Sequence, residues 1–326
     1  MKKFIFAGLS ICLIASSLSC SSEISPDTET VDANYLTVSD KSSDGNIIIN
    51  ETDLYPEGIE YDIRNNRFLL SSITRGDIGQ VINGEYSVFI NDENLVSTIG
   101  IHIDHTTKRL LVTNTSIDGS FAQLAAYKLT GENIFYADLG SLSEDVHFAN
   151  DVTTDNHGNA YVTDSYSGII YKVDPSGNAS IFYENPDLAP SPRNFGLNGI
   201  DYHPSGFLLV SHIQNNLILK FNMDNPGNYS QVDIPVPLFS PDGLFLDNPN
   251  ELIVVSNDFG GEEARVQIFG TRDRWETAYV KSEFPIPDNF LTTVTVKRNI
   301  PYVLSANLNI LLEGGSTDEF KIIEVE

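Results

Sequence analysis

Four polar side chains occupy the same position in a repeated pattern, and all four offer oxygen atoms. They are Glu57, Asn150, Asn198 and Asp242, each followed by glycine except Asn150, which is followed by Asp151. Two carboxylates and two amide carbonyls, with no thiolate or imidazole among them, suit a hard divalent cation whose shell water completes to about six to eight ligands. Calcium is the ion we expect, with magnesium, manganese and zinc as alternatives.

The strands that carry these residues belong to a unit repeated six times. In one copy, residues 152–154 are β-formers, residues 155–158 have turn chemistry, and residues 160–163 run back extended. The equivalent positions are Glu57, Ile99, Asn150, Asn198, Asp242 and Thr292, separated by 42, 51, 48, 44 and 50 residues. This period predicts an all-β fold, a six-bladed β-propeller, in which the six positions converge on the central channel.

The second strand of each copy is predicted to end beside the first, which gives a second polar ring. Its members are Ser72, Asn114, Asp164, His212 and Asn257, with Ala306 in the sixth copy. Asp164 and His212 are the candidates there for orienting ligands or for proton transfer. The alternative interpretation of both rings is a purely local structural role, because Asn, Asp and Glu often start strands or cap turns. Four oxygen donors in register favour the metal.

The chain begins with a predicted export signal. Residues 1–20 read as a signal peptide that ends in a lipoprotein-like processing site, and we expect a lipid on Cys20, with ordinary cleavage nearby as the alternative. Residues 21–45 are rich in Ser, Asp, Thr and Glu and predict a disordered tether. Residues 46–326 form the propeller. This organisation predicts a place in the bacterial cell envelope, in the periplasm or at the outer membrane, with membrane contact only through the lipid.

The composition is strongly acidic. The chain has 45 Asp and Glu residues against 19 Lys and Arg residues, for a net charge of -26. That charge argues against a nucleic-acid partner and against binding to an anionic membrane surface. The two cysteines are Cys12 and Cys20, so no intramolecular disulfide is expected in the mature chain. We expect a monomer that binds a small molecule. Residues 46–50 and 320–325 are the candidates for the clasp that closes the ring.

Residues 50 to 310 resemble the regucalcin/gluconolactonase group of six-bladed propellers. The motifs that carry the resemblance are Glu57-Gly58, Asn150-Asp151, Asn198-Gly199 and Pro241-Asp242-Gly243, in this order and in register. The resemblance implies that Glu57, Asn198 and Asp242 hold a divalent metal. It also implies that Asn150 lies beside the metal, where it contacts substrate or completes the ligand shell.

The resemblance also implies a reaction class and a difference in substrate. Known enzymes of the group hydrolyse lactones. Members that act on sugar lactones carry an arginine two residues before this asparagine, where the present chain has Phe148. Phe148 would suit a more apolar substrate.

Two functions follow from these observations. The first is a metal-dependent hydrolase of lactones or related esters, with substrate in the top of the channel. In it Asn150 and Phe148 bind substrate, and Asp242 accepts the proton of the attacking water, ahead of His212 or Asp164. The alternative is a non-enzymatic propeller of the envelope that binds a protein or a small ligand and keeps the metal as a structural element.

Overall fold

The structure is a computed structural model that describes residues 45–192, 194–287 and 289–325. The predicted signal peptide, Cys20 and residues 21–44 of the predicted tether lie outside the described residues. No helix in the described part of the chain has the length and apolar character needed to span a lipid bilayer.

The described residues are almost entirely β-structure. The strands are β1 (Ile47–Asn50), β2 (Ile59–Asp62), β3 (Arg67–Leu70), β4 (Ile78–Ile82), β5 (Glu85–Ile90), β6 (Thr98–Asp104), β7 (Arg109–Thr115), β8 (Ala122–Lys128), β9 (Asn133–Asp138), β10 (Ala149–Thr154), β11 (Ala160–Asp164), β12 (Ile169–Val173), β13 (Ala179–Glu184), β14 (Leu197–His203), β15 (Phe207–His212), β16 (Leu217–Asn222), β17 (Ser230–Gln231), β18 (Pro241–Asn248), β19 (Glu251–Ser256), β20 (Arg265–Gly270), β21 (Tyr279–Pro285), β22 (Leu291–Lys297), β23 (Ile300–Ser305) and β24 (Glu319–Glu324). The helices are short: α1 (Leu308–Leu312) and 3-10 turns at Gly140–Leu142, Pro186–Leu188 and Asp258–Gly260.

These strands form six antiparallel sheets of four, as the repeat predicts. Blades 1 to 5 each take four consecutive strands, beginning with β2, β6, β10, β14 and β18. Blade 6 contains β22, β23 and β24 together with β1. The predicted clasp is confirmed, because Ile47 pairs with Ile322 and Asn50 with Glu319. The ring is therefore closed by hydrogen bonds between the two ends of the described chain.

The turn between the first and second strands of a blade is fixed by buried ion pairs in blades 1 and 2. Asp62 bonds Arg67 at 3.0 Å, and Asp104 bonds Arg109 at 3.2 Å. Both aspartates also accept backbone amides of their turns, as aspartate commonly does. Arg109 donates further to the carbonyl of Gly158 in blade 3 at 2.7 Å. These contacts hold the hairpins rigid at the end of the channel opposite the axial residues.

The core lies between neighbouring blades. Side chains alternate across each strand, so a blade packs one apolar set against each neighbour. Between blades 2 and 3, for example, Leu111, Val162 and Tyr171 belong to one fully buried cluster. In every blade the second strand is antiparallel to the first, so it finishes at the end of the blade where the first strand begins. We call this end, where first strands begin and second strands finish, the upper end.

Candidate functional site

A β-bulge opens the first strand in five of the six blades. In blade 3 the register shifts between Ala149 and Val152, so that Asn150 and Asp151 together face Thr163. Blades 2, 4, 5 and 6 show the same arrangement of two residues against one. A bulge re-aims a side chain that regular alternation would send elsewhere. It is thus the local device that sets the direction of the first bulge residue in each blade.

The first bulge residues of blades 2 to 6, together with Glu57 at the equivalent position of blade 1, form a ring in chain order. First strands of successive blades are neighbours, and β2 adjoins β22, which completes the circle. The six members, which we call the axial ring, are Glu57, Ile99, Asn150, Asn198, Asp242 and Thr292, and all are buried. Because blades three apart face each other, Glu57 lies opposite Asn198 and Ile99 lies opposite Asp242. The structure therefore brings the four predicted metal ligands around one axis.

Hydroxyl groups of neighbouring blades hold the main chain of the axial ring. Each hydroxyl donates to the backbone carbonyl of one axial residue. The pairs are Thr113 and Asn150 (2.7 Å), Thr163 and Asn198 (2.5 Å), Ser211 and Asp242 (2.7 Å), and Thr293 and Glu57 (2.9 Å). The first three donors face the bulge of their own blade. Sequence reasoning missed these residues. Thr163 and Ser211 stand one position before the end of their second strands, Thr113 stands two positions before, and Thr293 lies in a first strand.

The residue that follows each axial residue sits against the next blade. A side chain at Gly58 would place its first carbon 2.5 Å from the carbonyl oxygen of Ile99, so this position favours glycine. Blade 3 is an exception, since Asp151 stands there. Its carboxylate accepts the amides of Val152 at 2.8 Å and Ile200 at 3.2 Å, and burial raises its pKa to about 7. Besides burial, the charge of Asp151 acts on both Glu57 and Asp242, raising the pKa of each.

Three side-chain oxygens of the axial ring are buried and have no hydrogen-bond partner among the described residues. They are Oε2 of Glu57, Oδ1 of Asn150 and Oδ1 of Asp242. Buried polar atoms are nearly always hydrogen-bonded, so three such oxygens at one point require an explanation. Oγ1 of Thr292 is a fourth atom of this kind in the same ring.

The ionisation of the two axial carboxyl groups reflects this crowding. Burial raises the pKa of Glu57 well above its ordinary value of 4.5, and the charges of Asp242 and Asp151 add to the effect. Burial also raises the pKa of Asp242 to about 8, against the lowering effect of a hydrogen bond from Asn257. Carboxyl groups held this way gain most from a positive charge placed between them.

The donor set fits a hard cation. Its free atoms are carboxylate, amide and hydroxyl oxygens, which are the ligands that calcium and magnesium prefer. The fit depends on the amides, because the described residues contain no group of three or more His, Cys, Asp and Glu side chains arranged to hold a metal. Asn150 and Asn198 would have to supply ligands beside Glu57 and Asp242.

Asn257 is the member of the predicted second ring that contacts the axial ring. Its side-chain nitrogen donates to Oδ2 of Asp242 at 2.7 Å. The register places it differently from the prediction, because Pro241 pairs with Ser256 and Leu291 with Ser305. Asn257 therefore lies one residue beyond the position equivalent to Asp164 and His212, and so does Ala306. That extra residue lets Asn257 reach Asp242.

Asp164 is used by its own blade. Its Oδ2 lies 3.0 Å from Nδ1 of His147 and accepts the Tyr171 hydroxyl at 2.9 Å. Its Oδ1 accepts the backbone amides of Phe148, Tyr166 and Ser167. Within the described residues no hydrogen bond joins Asp164 to the axial ring. This geometry gives the side chain a part in positioning the chain around Phe148, and its role in proton transfer stays a prediction.

His212 is held in a similar way. Its Nε2 lies 3.1 Å from the carbonyl oxygen of Leu188, and Asn215 contacts the same ring. Burial lowers the pKa of His212, so the neutral imidazole is favoured. Its hydrogen bonds in the described structure go to the loops around blade 4 and not to Asp242. Unlike His212, Asp242 keeps a side-chain oxygen, Oδ1, without a hydrogen-bond partner in the described structure.

Phe148 belongs to an aromatic cluster at the upper end. Its ring centroid lies 5.0 Å from that of Tyr166 and 5.6 Å from that of Phe195, and these two are 5.7 Å apart. Phe148 is buried, whereas the other two rings are half-buried. Phe148 immediately precedes β10 and stands two residues before Asn150 in the chain.

Six four-stranded blades around a polar axis define a six-bladed β-propeller, and solved structures of this class are similar to the chain. The allergen Mala s 1 of Malassezia sympodialis has 15% identity and a TM-score of 0.68, covering 86% of this chain and 96% of that one. XC5397 of Xanthomonas campestris, a gluconolactonase, has 13% identity and a TM-score of 0.60, covering 85% of this chain and 88% of that one. Virginiamycin B lyase of Staphylococcus aureus has 11% identity and a TM-score of 0.55, covering 86% of this chain and 98% of that one.

These similarities concern the fold. No family model matches the chain, and no curated protein matches its sequence. The solved propellers of this shape include an allergen, a gluconolactonase and a lyase, so the shape is shared by proteins of different activity. Function has to be argued from the axial residues themselves.

Proposed function

We propose that the protein is a hydrolase of lactones or related esters that depends on a divalent cation, with calcium as the expected ion. The observation that carries the proposal is the set of unpartnered buried oxygens on Glu57, Asn150 and Asp242. The similarity in fold to gluconolactonase structures supports the reaction class.

The ligand residues would be Glu57, Asn150, Asn198 and Asp242. A divalent cation, when bound, polarises a carbonyl oxygen and eases the deprotonation of a nearby water. The hydroxyl bonds from neighbouring blades fix the carbonyl of each of these four residues, so little reorganisation is needed when the site fills. Thr292 completes the ring with a hydroxyl that could bind a water or the substrate.

Asp242 would serve as the proton acceptor. Asn257 holds its Oδ2, so Oδ1 is the atom that would take the proton. As the water oxygen bonds to the carbonyl carbon, its proton passes to Asp242. The acyl carbon–oxygen bond then breaks, and the same proton goes to the leaving alkoxide, which gives a hydroxy acid from a lactone. The side chains of the site are buried, and charge interactions are stronger away from bulk water.

The experiment is a panel of lactones and aryl esters assayed with calcium, magnesium, manganese, zinc or a chelator. We expect turnover that the chelator abolishes and one of the cations restores. A matched variant, Glu57→Gln, keeps the side-chain shape but removes a charge, so it should need more cation for the same rate. Turnover that is indifferent to both chelator and variant would contradict the proposal.

A binding function without catalysis is the second candidate. It is favoured by the engagement of Asp164 and His212, whose side chains in the described structure are hydrogen-bonded to groups outside the axial ring. In that case the cation would stabilise the ring, and the panel would show no turnover. Cation binding should then still raise the melting temperature, because a ligand of the native state stabilises it.

A further inference from the structure

The aromatic cluster and the axial ring together indicate where a substrate's apolar part would lie. Ile99 is the one fully apolar member of the axial ring and belongs to the same continuous apolar cluster as Phe148. Tyr166 and Phe195 pack against that cluster but remain half-buried. We name Ile99, Phe148, Tyr166 and Phe195 the aromatic wall. Its residues lie at the upper end of blades 2, 3 and 4.

The wall continues onto exposed apolar side chains. The hydroxyl of Tyr166 donates to the carbonyl of Ile117 at 3.3 Å. A side chain at Gly119 would meet Val146 at 3.1 Å and Tyr166 at 3.5 Å, so these residues adjoin. Ile117 is 58% exposed and Val146 is 59% exposed. Contiguous apolar surface beside a polar cluster is typical of ligand sites.

The position of the wall relative to the proton acceptor is set by the blade order. Ile99 in blade 2 lies across the axis from Asp242 in blade 5. A substrate whose carbonyl reaches the polar axis would therefore extend its remaining atoms toward the wall and away from Asp242. A polyhydroxylated chain laid there would lose hydrogen bonds to water, since the wall side chains offer few in return.

We propose that the aromatic wall is the specificity-determining surface of the site, and that the substrate is a lactone or ester carrying an alkyl chain or an aromatic ring. This rests on the proposed function, which it deepens by naming the substrate class. Phe148 and Ile99 are buried beneath the surface, in the apolar cluster against which Tyr166 and Phe195 pack. Tyr166 and Phe195 form its adjustable outer part.

The test compares γ-butyrolactone, γ-decalactone and gluconolactone. We expect kcat/KM to rise from the first to the second by at least about 10-fold, since each buried methylene contributes to transition-state binding, and to be lowest for gluconolactone. Phe195→Ala and Phe148→Leu should flatten the chain-length dependence. Phe182→Ala is the matched control. Phe182 is a half-buried ring in β13 of blade 3 that packs edge-on against Tyr161, with 5.0 Å between the ring centroids.

A second readout does not need turnover. The γ-lactam with the same hexyl chain as γ-decalactone resists hydrolysis, and its binding can be followed by calorimetry with calcium or with chelator present. We expect binding that Phe195→Ala weakens by about 10-fold and Phe182→Ala leaves unchanged. Circular dichroism of each variant checks that the fold is kept.

The two readouts separate the two proposals. Turnover without chain-length preference, or with a preference for gluconolactone, would overturn the wall and leave the hydrolase standing. Lactam binding that depends on Phe195, with no turnover of any substrate, would support the wall and overturn the hydrolase. Neither turnover nor lactam binding would overturn both.

Discussion

The side-chain nitrogen of Asn257 donates a 2.7 Å hydrogen bond to Oδ2 of Asp242, and both residues are buried. The bond fixes the plane of the carboxylate and leaves Oδ1 without a partner. The carbonyl oxygen of the same asparagine side chain accepts the backbone amide of Phe259 at 3.0 Å, so the amide cannot rotate without losing a bond. Residues that orient a ligand in this way strongly affect metal affinity.

Asn257→Asp should therefore weaken cation binding and turnover by about 10- to 100-fold. The variant keeps the acceptor for the amide of Phe259 but replaces the donor with a charge facing Asp242. Calcium titration by calorimetry and the lactone assay measure the effect. Asn185→Asp is the matched control, because Asn185 caps a 3-10 turn by accepting the amide of Asp187 at 3.0 Å and contacts no carboxylate in the described structure. Equal losses in both variants would contradict the role given to Asn257.

The two axial carboxylates should respond differently to neutralisation. Glu57→Gln should weaken cation binding by at least about 10-fold, with activity partly restored by excess cation, because the amide keeps one ligand oxygen. Asp242→Asn should lose about 100- to 10,000-fold in turnover while still binding some cation, because the proton acceptor is gone. Calorimetry and steady-state kinetics separate the two effects.

Glu60→Gln is the control for loss of charge alone. Glu60 lies three residues after Glu57 and pairs with His102 at 3.2 Å rather than with the axial ring. We expect it to change cation affinity far less than Glu57→Gln. If Glu60→Gln weakened binding as much, the general charge of the channel, and not ligation by Glu57, would explain the result.

The fold could be predicted from the sequence because the same strand and turn pattern recurs in the repeats. Alternating apolar runs, turn residues and a regular spacing all agree, and the closing pair of strands was visible as two apolar segments near the ends of the described chain. The position of Asn150 in a bulge was not visible, since an extra residue in a strand leaves no mark in composition. Register is the weak point, because one residue of slip exchanges the faces of a strand.

The same limit explains what was missed at the site. Counting along the second strands aligned Asn257 with Asp164 and His212, whereas the pairing of Pro241 with Ser256 shifts it by one. The hydroxyl of Thr163 was visible, but its acceptor lies in the next blade, 35 residues along the chain. Contacts between blades depend on how sheets pack side by side, which no local pattern encodes.

The hydroxyl bonds between blades can be tested at Thr163. Thr163→Val removes the hydrogen bond to the carbonyl of Asn198 and also the acceptor of the Asp151 backbone amide at 3.2 Å. It keeps the branched shape, and the fold already accepts Val255 at the equivalent position of blade 5. We expect a loss of about 1 kcal/mol in the free energy of unfolding, and a loss in cation affinity of about 10-fold because Asn198 is no longer held. Denaturant unfolding and calcium calorimetry measure the two.

Thr115→Val is the matched control for that variant. The Thr115 hydroxyl donates to the carbonyl of Phe121 at 2.9 Å within its own blade and has no link to the axial ring. It should show a similar loss of stability with unchanged cation affinity. A parallel loss of affinity in both variants would mean that stability alone controls the site.

The last prediction concerns pH and the pair His147 and Asp164. The hydrogen bond with Asp164 is the largest influence on His147 and raises its pKa above the ordinary 6.5, with the charges of Asp164 and Asp145 adding to this and burial opposing it. A raised pKa in the folded state means that the protonated form is favoured by folding. The resulting stability is present in full below the unfolded pKa of about 6.5 and is lost as pH rises through the higher folded pKa.

His147→Gln should therefore lower the melting temperature more at about pH 5 than at about pH 9, because only at acid pH does the wild-type protein gain from the charged pair. His203→Gln provides a control of opposite sign. Burial lowers the pKa of His203, whose Nε2 lies 2.8 Å from the carbonyl of Pro249, so its neutral form is favoured by folding and its contribution falls at acid pH. The difference between wild type and variant should then shrink toward acid pH for His203 and grow for His147. Calorimetric melting of the three proteins across this range decides the matter, and a difference at His147 that does not change with pH would contradict a charged pair.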